Sequence, residues 1–166
     1  MGRLDGKVAI VTGGNSGVGA ATAELFAKEG AKVVITARRL PQLEEVAEKI
    51  RANGGEVLVV QADVSKAEDA ENIVAKTIEA YGKVDVLVNN AGISAAVSLE
   101  EENIEHIRNV MDVNFFGTFN TIHELLPHFR ENKNGTIINN TSQSGISFRA
   151  FGSAYCSSKH AVEGLT

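Results

Sequence analysis

The stretch Thr12-Gly13-Gly14-Asn15-Ser16-Gly17-Val18-Gly19 decides the fold, because it joins a strand-like segment to a helix-like one. An apolar run at residues 8–11 precedes it, and helix-forming residues follow at 20–28. Glycine has no Cβ, so such a turn can bend sharply and let a ligand approach the backbone. The next helix offers unpaired N–H groups and the positive end of its dipole. The sequence therefore predicts a phosphate-binding turn, with a glycine-rich turn that binds nothing as the alternative.

Length and composition indicate one domain of a soluble protein. The 166 residues are 43% apolar and 22% charged, which is ordinary for a globular chain. The net charge of −5 argues against nucleic acid or an anionic membrane as the main partner. The one cysteine, Cys156, cannot form an internal disulfide, and no apolar run approaches the length of a membrane span. We expect a cytoplasmic protein.

Strand-like and helix-like segments alternate along the chain. The strand candidates are short, β-branched and apolar at both odd and even positions, which favours parallel strands buried on both faces. Between them the apolar residues recur at helical spacing. This alternation predicts a doubly wound α/β fold, whose ligands bind beyond the carboxyl ends of the strands. The predicted strands are residues 7–11, 32–36, 57–61, 84–89 and 136–140.

Several residues predict where helices begin and end. Ser65 and Glu68 have the spacing of a capping box at the start of the third helix. Glycines end helices at Gly30, at 53–55 and at Gly82. A long helical region at 101–130 is interrupted at Asn114 and Gly117, and a last helix occupies 152–166.

Tyr155 and Lys159 stand four residues apart in that last helix, so they share one face. A phenol is a poor base near neutral pH, but a nearby ammonium favours the phenolate. Such a tyrosine can exchange a proton with a carbonyl oxygen. A single Tyr-x-x-x-Lys spacing also occurs by accident on solvated helices. The four histidines are scattered and lack the spacing of metal ligands, so no metal site is predicted.

Taken in order, these motifs resemble the short-chain dehydrogenase/reductase family. The glycine-rich turn follows the first strand, Asn90-Ala91-Gly92 follows the fourth, Asn114 interrupts the next helix, and Ser142 follows the fifth strand. Tyr155 and Lys159 then open the last helix, and the resemblance covers residues 5–166. It implies a single NAD(P)-binding Rossmann domain with strand order 3-2-1-4-5. It also implies an oxidoreductase that acts on a small-molecule carbonyl or secondary alcohol.

The resemblance also implies roles for individual residues. Tyr155 is the expected proton donor and acceptor, Lys159 lowers its pKa and holds the nicotinamide ribose, and Ser142 orients the substrate carbonyl. Asn114 is expected to hold, through its backbone carbonyl, a water that connects Lys159 with solvent. In isolation, Asn and Asp after strands more often stabilise turns or caps. The expected cofactor-binding residues are Thr12, Gly13, Asn15, Ser16, Gly17, Val18, Gly19, Arg38, Arg39, Asp63, Val64, Asn90, Ala91, Gly92, Tyr155 and Lys159.

The end of the second strand bears on the choice of cofactor. An acidic residue there suits the ribose hydroxyl of NAD, and a basic one suits the 2′-phosphate of NADP. After Thr36 the chain reads Ala37-Arg38-Arg39, and the next acidic residue is Glu44. We therefore predict NADP(H), with NAD(H) as the alternative. Ser16 stands where many NADP-dependent members have a basic residue, and both arginines also fit a solvated helix start.

The chain departs from the family at its end. Residue 166 falls inside the Tyr155 helix, whereas family members continue with further strands, a substrate lid and much of the surface that makes them homo-oligomers. We expect this chain to expose an edge of the sheet, to associate and to be weakly active or inactive. A nucleotide-binding module without catalysis is therefore the alternative to an active oxidoreductase.

Overall fold

A computed structural model describes residues 2–94 and 96–166 of the chain. These residues form five strands and six α-helices, and the strands make one parallel sheet in the order β3-β2-β1-β4-β5. The predicted doubly wound fold and strand order are confirmed. The elements are β1 (Val8–Thr12), α1 (Gly17–Lys28), β2 (Lys32–Ala37), α2 (Leu40–Ala52), β3 (Glu56–Gln61), α3 (Ala67–Tyr81), β4 (Val86–Asn89), α4 (Ile104–Met111), α5 (Gly117–Asn132), β5 (Thr136–Asn139) and α6 (Ser153–Leu165).

Alternate residues of the inner strands enter two separate hydrophobic clusters, one on each face of the sheet. Val11 of β1 and Ile35 of β2 pack with α1 and α2, and their neighbours Ile10 and Val34 pack with α3 and α5. All five residues of β1 are buried. The continuous apolar runs of the sequence thus serve helices on both sides.

The prediction that every strand is buried on both faces is wrong for the two edge strands. β3 and β5 each contain exposed residues, and the Ile138 side chain of β5 is 43% exposed. The reason is position, because an edge strand pairs with one neighbour only and fewer helices reach across it. Apolar β-branched residues cannot by themselves distinguish a central strand from an edge strand.

Glycines end the helices as predicted, but the capping box is wrong. Gly30, Gly54 and Gly82 have positive φ at or just beyond helix ends. Helix α3 begins at Ala67, after an N-cap residue whose side chain makes no cap hydrogen bond. The Ser65 hydroxyl instead donates to Asp63 Oδ1 at 2.8 Å. Because this local bond occupies the hydroxyl, Ser65 does not cap α3.

The predicted interruption of the long helical region is a π-helical segment, Asp112–Phe116, between α4 and α5. The Gly117 N–H donates to the Asp112 carbonyl, a bond that skips one residue more than an α-helical bond. A Cβ at Gly117 would lie 2.6 Å from Val64 Cγ2, so the glycine lets this turn approach the loop after β3. Such single π-helical turns often mark functional sites.

At the amino end of the sheet, Asp85 joins three segments of the chain. Its carboxylate accepts the Val8 N–H at 2.9 Å and the Asn134 amide at 3.1 Å, and pairs with Lys83 at 2.8 Å. The side chain is 5% exposed. Burial by itself raises the pKa of Asp85, but the hydrogen bonds from Lys83 and Val8 and the charges of Lys83 and Lys7 outweigh it and hold the pKa below 3.8.

Replacing Asp85 by Asn should lower the free energy of unfolding at pH 7 by about 2 kcal/mol, because a charged acceptor is lost. A depressed carboxyl pKa stabilises the fold above its ordinary value, and this stabilisation disappears as the pH falls through the folded-state pKa. The difference between the two proteins should therefore shrink as the pH falls below the ordinary carboxyl value of 3.8, and it should be lost below the folded-state pKa of Asp85. Urea unfolding at pH 7 and pH 3 measures it, and an equal difference at both pH values would contradict the assignment.

Candidate active site and cofactor cleft

A cleft of about 380 Å³ opens at the carboxyl ends of the strands, across the loops that follow β1, β2, β3 and β4. This is where a doubly wound sheet binds its ligands. Of the residues predicted to bind the cofactor, Thr12, Gly17 and Gly19 lie outside the lining, as do Tyr155 and Lys159. Those that line the cleft are Gly13, Asn15, Ser16, Val18, Arg38, Arg39, Asp63, Val64, Asn90, Ala91 and Gly92.

The glycines of the first turn have two different functions. A Cβ at Gly13 would lie 2.9 Å from Ala91 Cα, and one at Gly19 would lie 2.2 Å from the Gly13 carbonyl oxygen. These two glycines therefore let the turn pack against the chain itself. Gly17 has a φ of +53°, and a Cβ there would meet no atom within 4 Å. Its glycine is explained by the left-handed backbone conformation alone.

Thr12 and Asn90 fasten the turn to the loop after β4. The Thr12 hydroxyl accepts the N–H groups of Asn90 and Ala91, each at 3.0 Å. The Asn90 amide donates to the carbonyls of Thr12 at 3.0 Å and Gly13 at 3.3 Å. Its own oxygen accepts from the Asn140 amide at 2.8 Å. Thr12 and Asn90 thus hold the glycine turn against the loop after β4.

The cleft contains groups that a dinucleotide would satisfy. Ser16 is the N-cap of α1 but its side chain makes no cap hydrogen bond, so the first N–H groups of the helix have no side-chain partner from it. Val18 lines the cleft with 64% of its surface exposed, an apolar wall facing solvent. The Thr36 hydroxyl is buried in the lining without a partner among the described residues. An unpaired buried hydroxyl is costly, and because Thr36 is fully buried, the fold itself bears this cost.

Arg38 and Arg39 lie at the rim of the cleft, directly after β2, and both are exposed. Neither takes part in an ion pair within the described ranges. The Arg38 carbonyl accepts the Gln61 side-chain amide at 2.9 Å, which fixes the backbone at this point. Ala37, at the end of the strand, also lines the cleft. The rim is therefore basic and carries no carboxylate from β2.

Asp63 combines a turn with a place in the cleft. Its Oδ1 accepts the N–H and the hydroxyl of Ser65 at 3.1 and 2.8 Å. Its own N–H donates to Asp69 Oδ2 at 2.7 Å. Asp63 and Val64 nevertheless both line the cleft beside Ala62. The bonds with Ser65 fix the loop after β3, and they use only Oδ1 of the Asp63 carboxylate.

Tyr155 and Lys159 share one face of α6, as predicted. The Lys159 Nζ lies 5.8 Å from the centre of the Tyr155 ring and donates to the Asn140 carbonyl at 2.9 Å. Lys159 is 5% exposed, and this burial lowers its pKa below the ordinary value of 10.5. The ammonium is held in place by a backbone carbonyl, and it lies next to the tyrosine rather than in solvent.

Asn114 connects the π-helical segment with the other parts of the site. Its side chain exchanges two hydrogen bonds with the backbone of Ile93, at 2.8 and 3.0 Å, and donates to the Ser158 hydroxyl at 2.9 Å. Its backbone carbonyl accepts the Thr118 hydroxyl at 2.9 Å. A Cβ at Gly92 would lie 3.3 Å from Asn114 Oδ1 and 3.8 Å from Lys159 Nζ. The structure thus brings Gly92, Asn114 and Lys159 together.

Ser142 stands at the start of a short 3₁₀ turn, Gln143–Gly145, that packs against α6. Its hydroxyl oxygen accepts the Ser144 N–H at 3.1 Å, so the hydroxyl proton is not used in that bond. A Cβ at Gly145 would lie 3.1 Å from the Lys159 carbonyl oxygen, which shows how closely the turn approaches the helix. The turn that Ser142 precedes therefore packs against the helix that carries Tyr155 and Lys159.

Sequence reasoning missed some residues of this region. Asn140 holds the Lys159 ammonium through its backbone carbonyl, which leaves no trace in the residue type. The other missed residues line the cleft. They end or follow parallel strands or lie beside Asn114, so the rule that ligands bind at the carboxyl ends of the strands could have identified them. These additional cleft residues are Thr36, Ala37, Ala62, Ile93 and Val113.

The described ranges, 2–94 and 96–166, contain no group of three or more His, Cys, Asp or Glu residues placed to hold a metal ion. Within the same ranges, no helix combines the length and the apolarity needed to cross a membrane.

The chain is similar to many known proteins. It is 40% identical over 162 residues to an uncharacterized oxidoreductase of Listeria monocytogenes, and 42% identical over 160 residues to the 2,5-dichloro-2,5-cyclohexadiene-1,4-diol dehydrogenase LinX of Sphingobium indicum. These alignments cover 98% and 96% of this chain and 65% and 64% of the relatives. The chain thus spans just under two thirds of the length of these curated relatives.

A solved structure has the same architecture. A short chain dehydrogenase/reductase from Burkholderia phymatum, crystallised in complex with NAD, superimposes with a TM-score of 0.95 at 35% identity, covering 99% of this chain and 59% of that one. The family model described as short chain dehydrogenase matches residues 7–166. This match over nearly the whole chain, together with the sheet order, shows that the chain belongs to the short-chain dehydrogenase/reductase family.

Proposed function

We propose that the chain carries the cofactor site and the proton-transfer residues of an NADP(H)-dependent oxidoreductase that interconverts a carbonyl and a secondary alcohol. The observation that supports this most is the buried Lys159 ammonium beside the Tyr155 ring, on a helix next to the cofactor cleft. The name of the Sphingobium relative, a diol dehydrogenase, and the NAD in the Burkholderia structure are consistent with this reaction class.

We assign a part of the cofactor to each group of cleft residues. The open amino end of α1, with Asn15 and Ser16 before it, would hold the pyrophosphate. Asp63 and Val64 would contact the adenine, and Arg38 and Arg39 would hold the 2′-phosphate of NADP. Asn90, Ala91 and Gly92 would line the inner part, with Tyr155 and Lys159 at the nicotinamide ribose. When bound, the nicotinamide supplies or accepts the hydride.

In the direction of reduction, the Tyr155 hydroxyl donates its proton to the carbonyl oxygen as that oxygen becomes an alcohol, and the tyrosine is left as phenolate. In oxidation the phenolate takes the proton back. The Lys159 charge stabilises the phenolate form of the tyrosine. Ser142, whose hydroxyl proton is not used in its bond with Ser144, donates to the substrate carbonyl and orients it. The Asn114 carbonyl, which accepts the Thr118 hydroxyl, would also accept a hydrogen bond from the expected water.

The alternative is a module that binds the nucleotide without catalysis. It follows from coverage, since the alignment with the Listeria relative covers 65% of that protein, and not from a missing motif residue. Binding of NADPH without turnover of any compound in a broad carbonyl panel would favour it.

Replacing Tyr155 by Phe should abolish turnover and leave NADPH affinity within about threefold, because only the hydroxyl that moves the proton is removed. Tyr81→Phe is the matched control, since Tyr81 ends α3 and packs under Lys32. Absorbance at 340 nm follows turnover, and calorimetry measures binding of the cofactor. Retained turnover in Tyr155→Phe would refute the assigned proton transfer.

Replacing Arg38 by Ala should reduce the preference for NADPH over NADH by roughly tenfold or more, since hydrogen bonds to a charged phosphate are lost. Ala37→Asp should shift the preference further toward NADH by placing a carboxylate at the end of β2. Arg130→Ala, at an exposed arginine of α5, is the control. The ratio of the two dissociation constants is the measurement, and an unchanged ratio in Arg38→Ala would overturn the NADP assignment.

A further inference from the structure

We propose that Arg149 is a positioning residue that fixes the orientation of the Tyr155 ring. The Arg149 guanidinium carbon lies 5.4 Å from the centre of that ring. The Lys159 ammonium lies 5.8 Å from the same centre, so the tyrosine has two cations within reach of its π system. Arg149 is exposed and takes part in none of the ion pairs within the described ranges.

The second contact of Arg149 joins the loop before α6 to the loop after β4. Its Nη2 donates to the Ser94 hydroxyl at 3.0 Å. Close by in the chain, the Val97 N–H donates to the Phe151 carbonyl at 3.0 Å. Two hydrogen bonds therefore fasten these loops together beside the catalytic helix. A guanidinium can stack on an aromatic ring and donate in its own plane at once, which an ammonium cannot do.

Gly152 provides room for this arrangement. A Cβ at this buried glycine would lie 2.8 Å from Arg149 Cγ and 3.1 Å from its Nε, so the arginine side chain passes directly over the glycine. The Gly152 backbone has a φ of −118°, so no left-handed conformation requires glycine here. A glycine at position 152 is therefore explained by the Arg149 side chain that lies over it. A Cβ there would also lie 3.2 Å from the Cys156 sulfur.

The neighbouring Phe151 indicates that the loop is held in one conformation. Its φ of +59° is rare for a bulky residue and persists only where the surroundings fix it. The Val97 hydrogen bond to its carbonyl and the Arg149 bond to Ser94 supply that constraint. Accurate placement matters here, because a shift of about 1 Å in a reacting group can lower a rate about a hundredfold.

The test uses the fact that the chain has two tyrosines. In a Tyr81→Phe background labelled with 3-fluorotyrosine, the fluorine NMR spectrum contains the Tyr155 ring alone. Arg149→Ala should move and narrow this resonance, Arg149→Lys should move it less, and Arg130→Ala should leave it unchanged. Gly152→Ala should reproduce the effect of Arg149→Ala, because the new methyl group displaces the arginine. Circular dichroism checks that each variant is folded.

Two results would overturn the proposal. One is an unchanged resonance in Arg149→Ala. The other is a Gly152→Ala effect that persists at full size when Arg149 is already alanine, since the glycine would then act through Cys156. The kinetic part of the test rests on the proposed function: Arg149→Ala should lower kcat about tenfold with the KM for NADPH unchanged, and Arg149→Lys should restore part of it. The NMR result stands whether or not the chain turns over a substrate.

Discussion

The site depends on the side-chain amide of Asn90 and the hydrogen bonds around it. The Asn90 amide nitrogen donates to the carbonyls of Thr12 and Gly13. Its oxygen accepts a hydrogen bond from the Asn140 side chain. The backbone carbonyl of Asn140 in turn accepts a hydrogen bond from the Lys159 ammonium. The glycine turn of the cofactor cleft and Lys159 of α6 are therefore connected through hydrogen bonds that meet at Asn140. Each polar group in the series is already oriented before a ligand arrives, which is the condition for strong electrostatic stabilisation of a reacting group.

The Lys159 ammonium explains why that series has to be rigid. A buried ammonium loses most of its hydration, and the structure returns to it one carbonyl hydrogen bond and the face of an aromatic ring. Burial accordingly lowers its pKa. Burying this charge costs stability. The apolar clusters on both faces of the sheet offset that cost. In the proposed reaction, this charge is the group that stabilises the Tyr155 phenolate.

The sequence predicted the features that depend on local chemistry and on periodic pattern. The doubly wound fold, the helix-ending glycines and the shared face of Tyr155 and Lys159 belong to this group, whereas the strand order was implied by the family resemblance. It failed where several partners compete, as for Ser65, whose hydroxyl is taken by Asp63 instead of α3. It also failed where backbone atoms act, as with the Asn140 carbonyl. The exposure of the edge strands β3 and β5 was missed because the burial of a strand depends on which neighbouring elements pack against it, and the sequence of the strand does not show this.

Strand β4 shows how the two ends of the sheet are coupled. Immediately before it, Asp85 accepts the Val8 N–H, and at its other end Thr12 accepts the N–H of Asn90. The four residues between them are apolar except for Asn89, and apolar side chains alone fix the register of so short a strand weakly. A slip of one residue would turn Asn90 away from the glycine turn. The polar contacts at both ends therefore hold the register, and Asp85 at the amino end supports the geometry of the active site through the length of β4.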